Sequence, residues 1–116
     1  MTTRYQATAQ ELLAKAKTEL DQGDLIQASE KGWGAAAQII KAAAEARSWP
    51  HSSHGRLFDA ARRLAEEAGD DQISVLFHAV SALHQNFYEN WFSQDSVATG
   101  LRHVEQLVRR VTPLIP

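Results

Sequence analysis

Cysteine is absent from this chain. That excludes disulfides, thiolate-bound zinc and cysteine nucleophiles together, and it sets the expectation of a reducing, cytoplasmic setting. Long apolar runs are missing as well. None approaches the ~20 residues needed to cross a bilayer, and no signal-like apolar segment follows Met1, so no membrane partner is expected. Charge of one sign is not in excess either: 12 Lys and Arg face 14 Asp and Glu, a net charge of −2. Such a balance argues against a protein built to coat nucleic acid, while leaving room for one local basic face. No stretch alternates with a period of two, so no sheet is expected. There is no H-E-x-x-H pattern and no Gly-rich phosphate loop, since Gly32 and Gly34 fall within a helical pattern where they permit close packing. His51 and His54 have H-x-x-H spacing, but nothing in the sequence brings His78, His84 or His103 to them, and no metal or cofactor is expected.

What the 116 residues do contain is helical periodicity. The whole reads as one domain, long enough to hide roughly 65% of the surface its unfolded form would expose. The organising stretch is Asp24 to Arg47, DLIQASEKGWGAAAQIIKAAAEAR. Asp24 is a good N-cap, and Pro50 forbids continuation past Ser48 and Trp49. Ile26, Glu30, Trp33, Ala37, Ile40 and Ala44 share one face. Beside them runs a stripe of small or apolar residues, Leu25, Ser29, Gly32, Ala36, Ile39 and Ala43. Only Gln27, Lys31, Gly34, Gln38, Lys41 and Glu45 form a polar strip. A helix apolar around most of its circumference must be wrapped by others. Glu30 is the anomaly, a lone carboxylate among Ile, Trp and Ala, and the expectation is that a polar group from another helix holds it there.

Around this post the pattern predicts four more helices. The first runs from about Thr3 to Asp21 on Tyr5, Ala9, Leu12, Leu13, Ala16 and Leu20, and the connection Gln22-Gly23-Asp24 is short enough to make an antiparallel hairpin. Ser52 or Ser53 caps a third helix ending near Ala68. Asp70 or Asp71 caps a fourth, from about Gln72 to Trp91, with Ile73, Leu76, Phe77, Val80, Leu83, Phe87 and Trp91 inward. Ser93 or Asp95 caps a fifth that ends at Pro113, and the tail Leu114 to Pro116 folds back over the bundle end. The fold class is all-α, an antiparallel bundle of five helices with a long central second helix.

For chemistry, the fourth helix is the richest stretch. His84 and Tyr88 stand one turn apart, as do Asn86 and Asn90. A buried contact between His84 and Glu30 would raise the imidazole pKa and keep the ring charged. Two Arg clusters occur, Arg56 with Arg62 and Arg63, and Arg102 with Arg109 and Arg110. Both are offset by nearby acids and read first as solvated helix faces. Trp33, Trp49, Phe87, Trp91 and Phe92 are mostly core fillers. Trp49 and Phe92, however, fall in connections, where an aromatic caps a bundle end or meets a partner.

Two segments, DLIQASEKGWGAAA from Asp24 to Ala37 and ALHQNFYE from Ala82 to Glu89, with Ser53-His54 between them, resemble the PaREP family of small helical proteins in the HEPN superfamily. The likeness runs from about Leu12 to Val111. It implies a HEPN-like bundle that pairs as a homodimer and binds a nucleotide, RNA or protein partner, without established catalysis. It points to Glu30, Trp33, His84, Asn86, Tyr88 and Glu89 as binding residues. Nucleases of that superfamily carry an Arg followed a few residues on by a His. Before His84, positions Phe77, His78 and Ala79 contain no Arg. Arg47 and His54, with six residues between them, have that spacing but straddle Pro50. Arg47, His54 and His84 are therefore the candidates for the alternative, a metal-independent, toxin-like ribonuclease. An antitoxin-like assembly protein is the third expectation.

Overall fold

The long second helix, α2 (Leu25–Ala46), is the element against which the others pack. In the computed structural model, which describes residues 2–116, it is preceded by α1 (Thr2–Asp21). It is followed by α3 (His54–Ala68), α4 (Gln72–Glu89), α5 (Gln94–Val111) and a short 3-10 turn at Thr112–Leu114. No strand occurs among the described residues. The structure is an all-α bundle of five helices.

α2 buries Ala28, Ser29, Gly32, Trp33, Ala35, Ala36, Ala37, Ile39, Ile40, Ala42, Ala43 and Ala44. It touches α1, α3, α4 and α5. Its small residues set how near the neighbours come. A Cβ added at Gly32 would lie 2.5 Å from Leu101 Cδ2 and 3.1 Å from Leu83 Cδ1. A Cβ at Gly100 would lie 2.6 Å from Leu83 Cδ2. The glycines of α2 and α5 thus let the Leu83 side chain of α4 enter between them, an approach no larger residue allows without displacement. Toward α1, Lys31 reaches Glu19 at 3.4 Å and Gly34 sits against Leu12.

The caps resolve the alternatives left by the sequence. Asp24 accepts from the Gln27 amide, Ser53 from Arg56 and Ser93 from Ser96. Asp71 holds the cap position of α4 without a side-chain bond, whereas Asp70 Oδ1 accepts from Gln72 N at 3.1 Å. The tail lies against the core through Leu114 and Ile115. Among the described residues, no helix is long and apolar enough to cross a membrane.

Two helix ends fall short of the periodic pattern. α2 stops at Ala46, where Ser48 turns to φ 58°. α4 stops at Glu89 rather than Trp91, because Asn90 adopts a left-handed conformation with φ 53°. That turn carries Trp91 off the apolar stripe of α4, and it stands 61% exposed instead of facing inward.

Candidate functional site

α2 and α4 bring Trp33 and His84 face to face. Their rings stack at 5.2 Å between centroids with 29° between planes. His54, the first residue of α3, meets both edge-on, 5.7 Å from Trp33 and 4.9 Å from His84. Inward, Trp33 packs on Phe77 at 5.3 Å, and Phe77 on Phe58 at 4.8 Å. Outward, His84 meets Tyr88 edge-on at 5.4 Å. A ladder of rings therefore climbs from the core, where Phe77 and Trp33 are buried, to Tyr88, which is 71% exposed. Offset and edge-on pairs of this kind contribute about 0.5–1.5 kcal/mol each beyond burial.

Trp33 and His54 also form part of the wall of a cavity of about 410 Å³, completed by Ala37, Lys41, His51, Ser52, Ser53 and Leu57. Three cavity residues come from the break between α2 and α3, which Pro50 imposes. Lys41 lies on the polar strip of α2 and has no carboxylate within 4.0 Å among the described residues. His51 is held by its neighbours: its Nε2 donates to Glu45 Oε1 at 2.8 Å, and the Tyr5 ring stands edge-on at 5.5 Å. The α3 N-terminus adds backbone N–H groups and the positive end of a helix dipole. One side of the site is thus aromatic and the other can donate hydrogen bonds to an anion.

Burial lowers the His84 pKa from the ordinary 6.5, and repulsion from His54 lowers it further. This reverses the sequence expectation of a raised pKa, because the carboxylate invoked for it is elsewhere. Glu30 is exposed and makes no ion pair with His84 within 4.0 Å. The physical reason lies in how far the α2 stripe is covered. Trp33, Ala37, Ile40 and Ala44 are buried, but Ile26 is only half-buried and Glu30 lies in water. A titration by NMR is expected to place the His84 transition below 6.5, and to move it upward in His54→Ala. The sign for stability follows directly: below the ordinary pKa the unfolded chain takes up a proton that folded His84 resists. Stability is therefore lost as pH falls from 6.5 toward the depressed value. A His84 transition above 6.5 would contradict the geometry described.

The remaining sequence-predicted residues divide sharply. Asn86 is not in the site at all. It is fully buried, its Nδ2 donates to Ser29 Oγ at 2.9 Å, and its Oδ1 accepts from Trp91 N at 2.9 Å and Phe92 N at 2.8 Å. Ser29 in turn donates to Leu25 O at 2.7 Å. Glu89 is the exposed last residue of α4. Arg47 is tied down on three sides, donating to Glu67 Oε1, Ala43 O and Leu114 O at 2.9, 3.1 and 3.0 Å. So Trp33, His54, His84 and Tyr88 come together, while Glu30 and Asn86 do not join them. Lys41 and the Glu45–His51 pair were not singled out as site residues by sequence. Their signal was Glu45 on the polar strip, with Pro50 turning the chain so that His51 returns to it. No group of three or more metal-ligating side chains occurs among the described residues.

A helical bundle with a ring-lined cavity at the break after its central helix is thus the class defined by fold and site. The sequence matches the archaeal PaREP1/PaREP8 family over residues 4–108, and the chain belongs to that family. A crystal structure of a protein from Sulfolobus solfataricus has the same fold, with a TM-score of 0.83 and 24% identity over 94% of this chain and 97% of that one. Comparison with curated proteins gives no match.

Proposed function

We propose that this protein is a HEPN-like binding module that holds a nucleotide, free or as the end of an RNA strand. The observation that carries the reading is the ring ladder Trp33–His84–Tyr88 beside a cavity lined by Lys41 and His51. Nucleobases stack on aromatic faces with little regard to sequence, at about 1–3 kcal/mol per base. The Lys41 ammonium, which has no carboxylate partner among the described residues, and the α3 N-terminal amides suit the phosphate. Neutral His84 offers both a ring face and a hydrogen-bond acceptor. Pairing as a homodimer belongs to the same reading.

A thermal-shift screen with nucleoside mono- and diphosphates tests this. At about 100 times the dissociation constant, a bound ligand adds roughly 2.7 kcal/mol to stability. The shift is expected in the native chain and is expected to be lost in Tyr88→Ala combined with Lys41→Ala. Absence of a shift with every nucleotide removes the reading.

A second reading, a metal-independent ribonuclease, draws on one observation: His54 and His84 are in ring contact, and burial favours the neutral form of His84. Acid and base must each approach within about 2.6–3.2 Å of different oxygens. Rings with centroids 4.9 Å apart leave no space between them for a phosphate. Binding without cleavage is therefore favoured. RNA cleavage in EDTA that disappears in both His54→Ala and His84→Ala would reverse that preference.

A further inference from the structure

At the same α2–α3 break lies a second, smaller cavity of about 170 Å³, lined by Trp49, Pro50, Arg56, Asp59, Ala60, Arg62 and Arg63. Trp49 is half-buried against the core. The Arg63 guanidinium lies 4.2 Å over that ring. A guanidinium held over an indole is partly preorganised, and its N–H groups can still reach an anion.

The charge balance singles this cluster out. Arg62 is paired with Glu66 at 2.6 Å, but neither Arg56 nor Arg63 has a carboxylate within 4.0 Å among the described residues. In the other Arg cluster, Arg110 grips both Asp70 oxygens, Arg109 faces Glu105, and Arg102 donates to Thr99. Arg102 too has no carboxylate within 4.0 Å, but among the described residues only the first cluster sets such a guanidinium over an aromatic ring, with the Asp59 carboxylate in the same cavity wall.

Size distinguishes what the two cavities can take. Pockets for whole small molecules run to about 300–1,000 Å³. The 410 Å³ cavity is within that range and the 170 Å³ cavity is below it, with room for a phosphate but not a nucleoside. Pro50 lines one cavity and its chain neighbour His51 the other, so both open onto the α2–α3 break. We infer that Trp49, Arg56 and Arg63 form a phosphate subsite next to the nucleotide cavity, so that the ligand is a single strand of at least two nucleotides rather than a free mononucleotide.

This inference rests on the nucleotide reading above, and the test separates the two. Isothermal titration calorimetry compares adenosine monophosphate with a tetra-adenylate RNA, using the native chain and an Arg56→Gln/Arg63→Gln double variant. Both side chains are exposed, and a circular-dichroism melt checks that the variant folds as the native chain does. The tetranucleotide is expected to bind the native chain at least about tenfold tighter than the mononucleotide. The double variant is expected to lose that advantage with mononucleotide binding unchanged. Its salt dependence should flatten by roughly 0.7 in log K against log salt for each phosphate contact removed. Mononucleotide binding with no gain for the tetranucleotide overturns the subsite alone, as does a gain that survives in the double variant. Failure of the native chain to bind either probe overturns both readings.

Discussion

Asn86→Ala is expected to lower the free energy of unfolding by about 3–5 kcal/mol, read from urea titrations of the variant and the native chain. The side chain makes three hydrogen bonds in a fully buried position. Each contributes about 1 kcal/mol net, and a buried group left without a partner costs about 1–3 kcal/mol. Alanine orphans the Trp91 and Phe92 amides and leaves the Ser29 hydroxyl without its donor. At this chain length the loss corresponds to a fall in Tm on the order of 10–20 °C. Amide exchange adds a local readout: the Trp91 and Phe92 protons should lose protection even where the rest of the bundle keeps it. A loss below about 1 kcal/mol would mean that water takes over all three bonds, and Asn86 would then not be what holds the α4–α5 connection in place.

The second large effect is expected at Trp33→Ala. Truncating a buried Trp costs about 3–5 kcal/mol, and Trp33 is only 8% exposed while touching Phe77, His54 and His84. Trp33→Phe should recover most of this loss, because a ring remains to stack on His84 and fill the space beside Phe77. The pair of variants separates packing from recognition. If Trp33 is also a wall of the ligand cavity, the phenylalanine variant keeps its fold while nucleotide-induced stabilisation weakens. Unfolding curves that show less than about 1 kcal/mol lost in the alanine variant would place Trp33 outside the core.

Much of the architecture was legible because it rests on patterns of a few residues. Asp24, Ser53 and Ser93 are caps by their chemistry, and Pro50 bars α2 from passing Trp49, although the helix stops earlier, at Ala46. The alanine and glycine content of α2 required close neighbours, and the approach of Leu83 and Leu101 to Gly32 is what it produced. Site residues were read less well, since their fate depends on where cover ends. Glu30 shares the Trp33 stripe by periodicity alone. Only the three-dimensional extent of the neighbouring helices determines that the stripe is open to water at Ile26 and Glu30.

Asn86 was named a binding residue by the family resemblance, and its buried bonds to Ser29, Trp91 and Phe92 were hidden for a different reason. Asn is, however, one of the few residues that tolerates the left-handed turn after a helix. With Asn90 in that role, the side chain four positions earlier is well placed to receive the amides that follow. Turn chemistry, given weight over helical spacing, would have ended α4 before Trp91. The pairing of His54 with His84 had no such signal. It joins the start of one helix to the late turns of another, and sequence separation hides it.

The central position of α2 bears on how the molecule comes apart. Every other helix leans on this one rod, so a change that loosens it is felt by all four neighbours at once. A single cooperative unfolding transition, the same by circular dichroism and by tryptophan fluorescence, is the expected result.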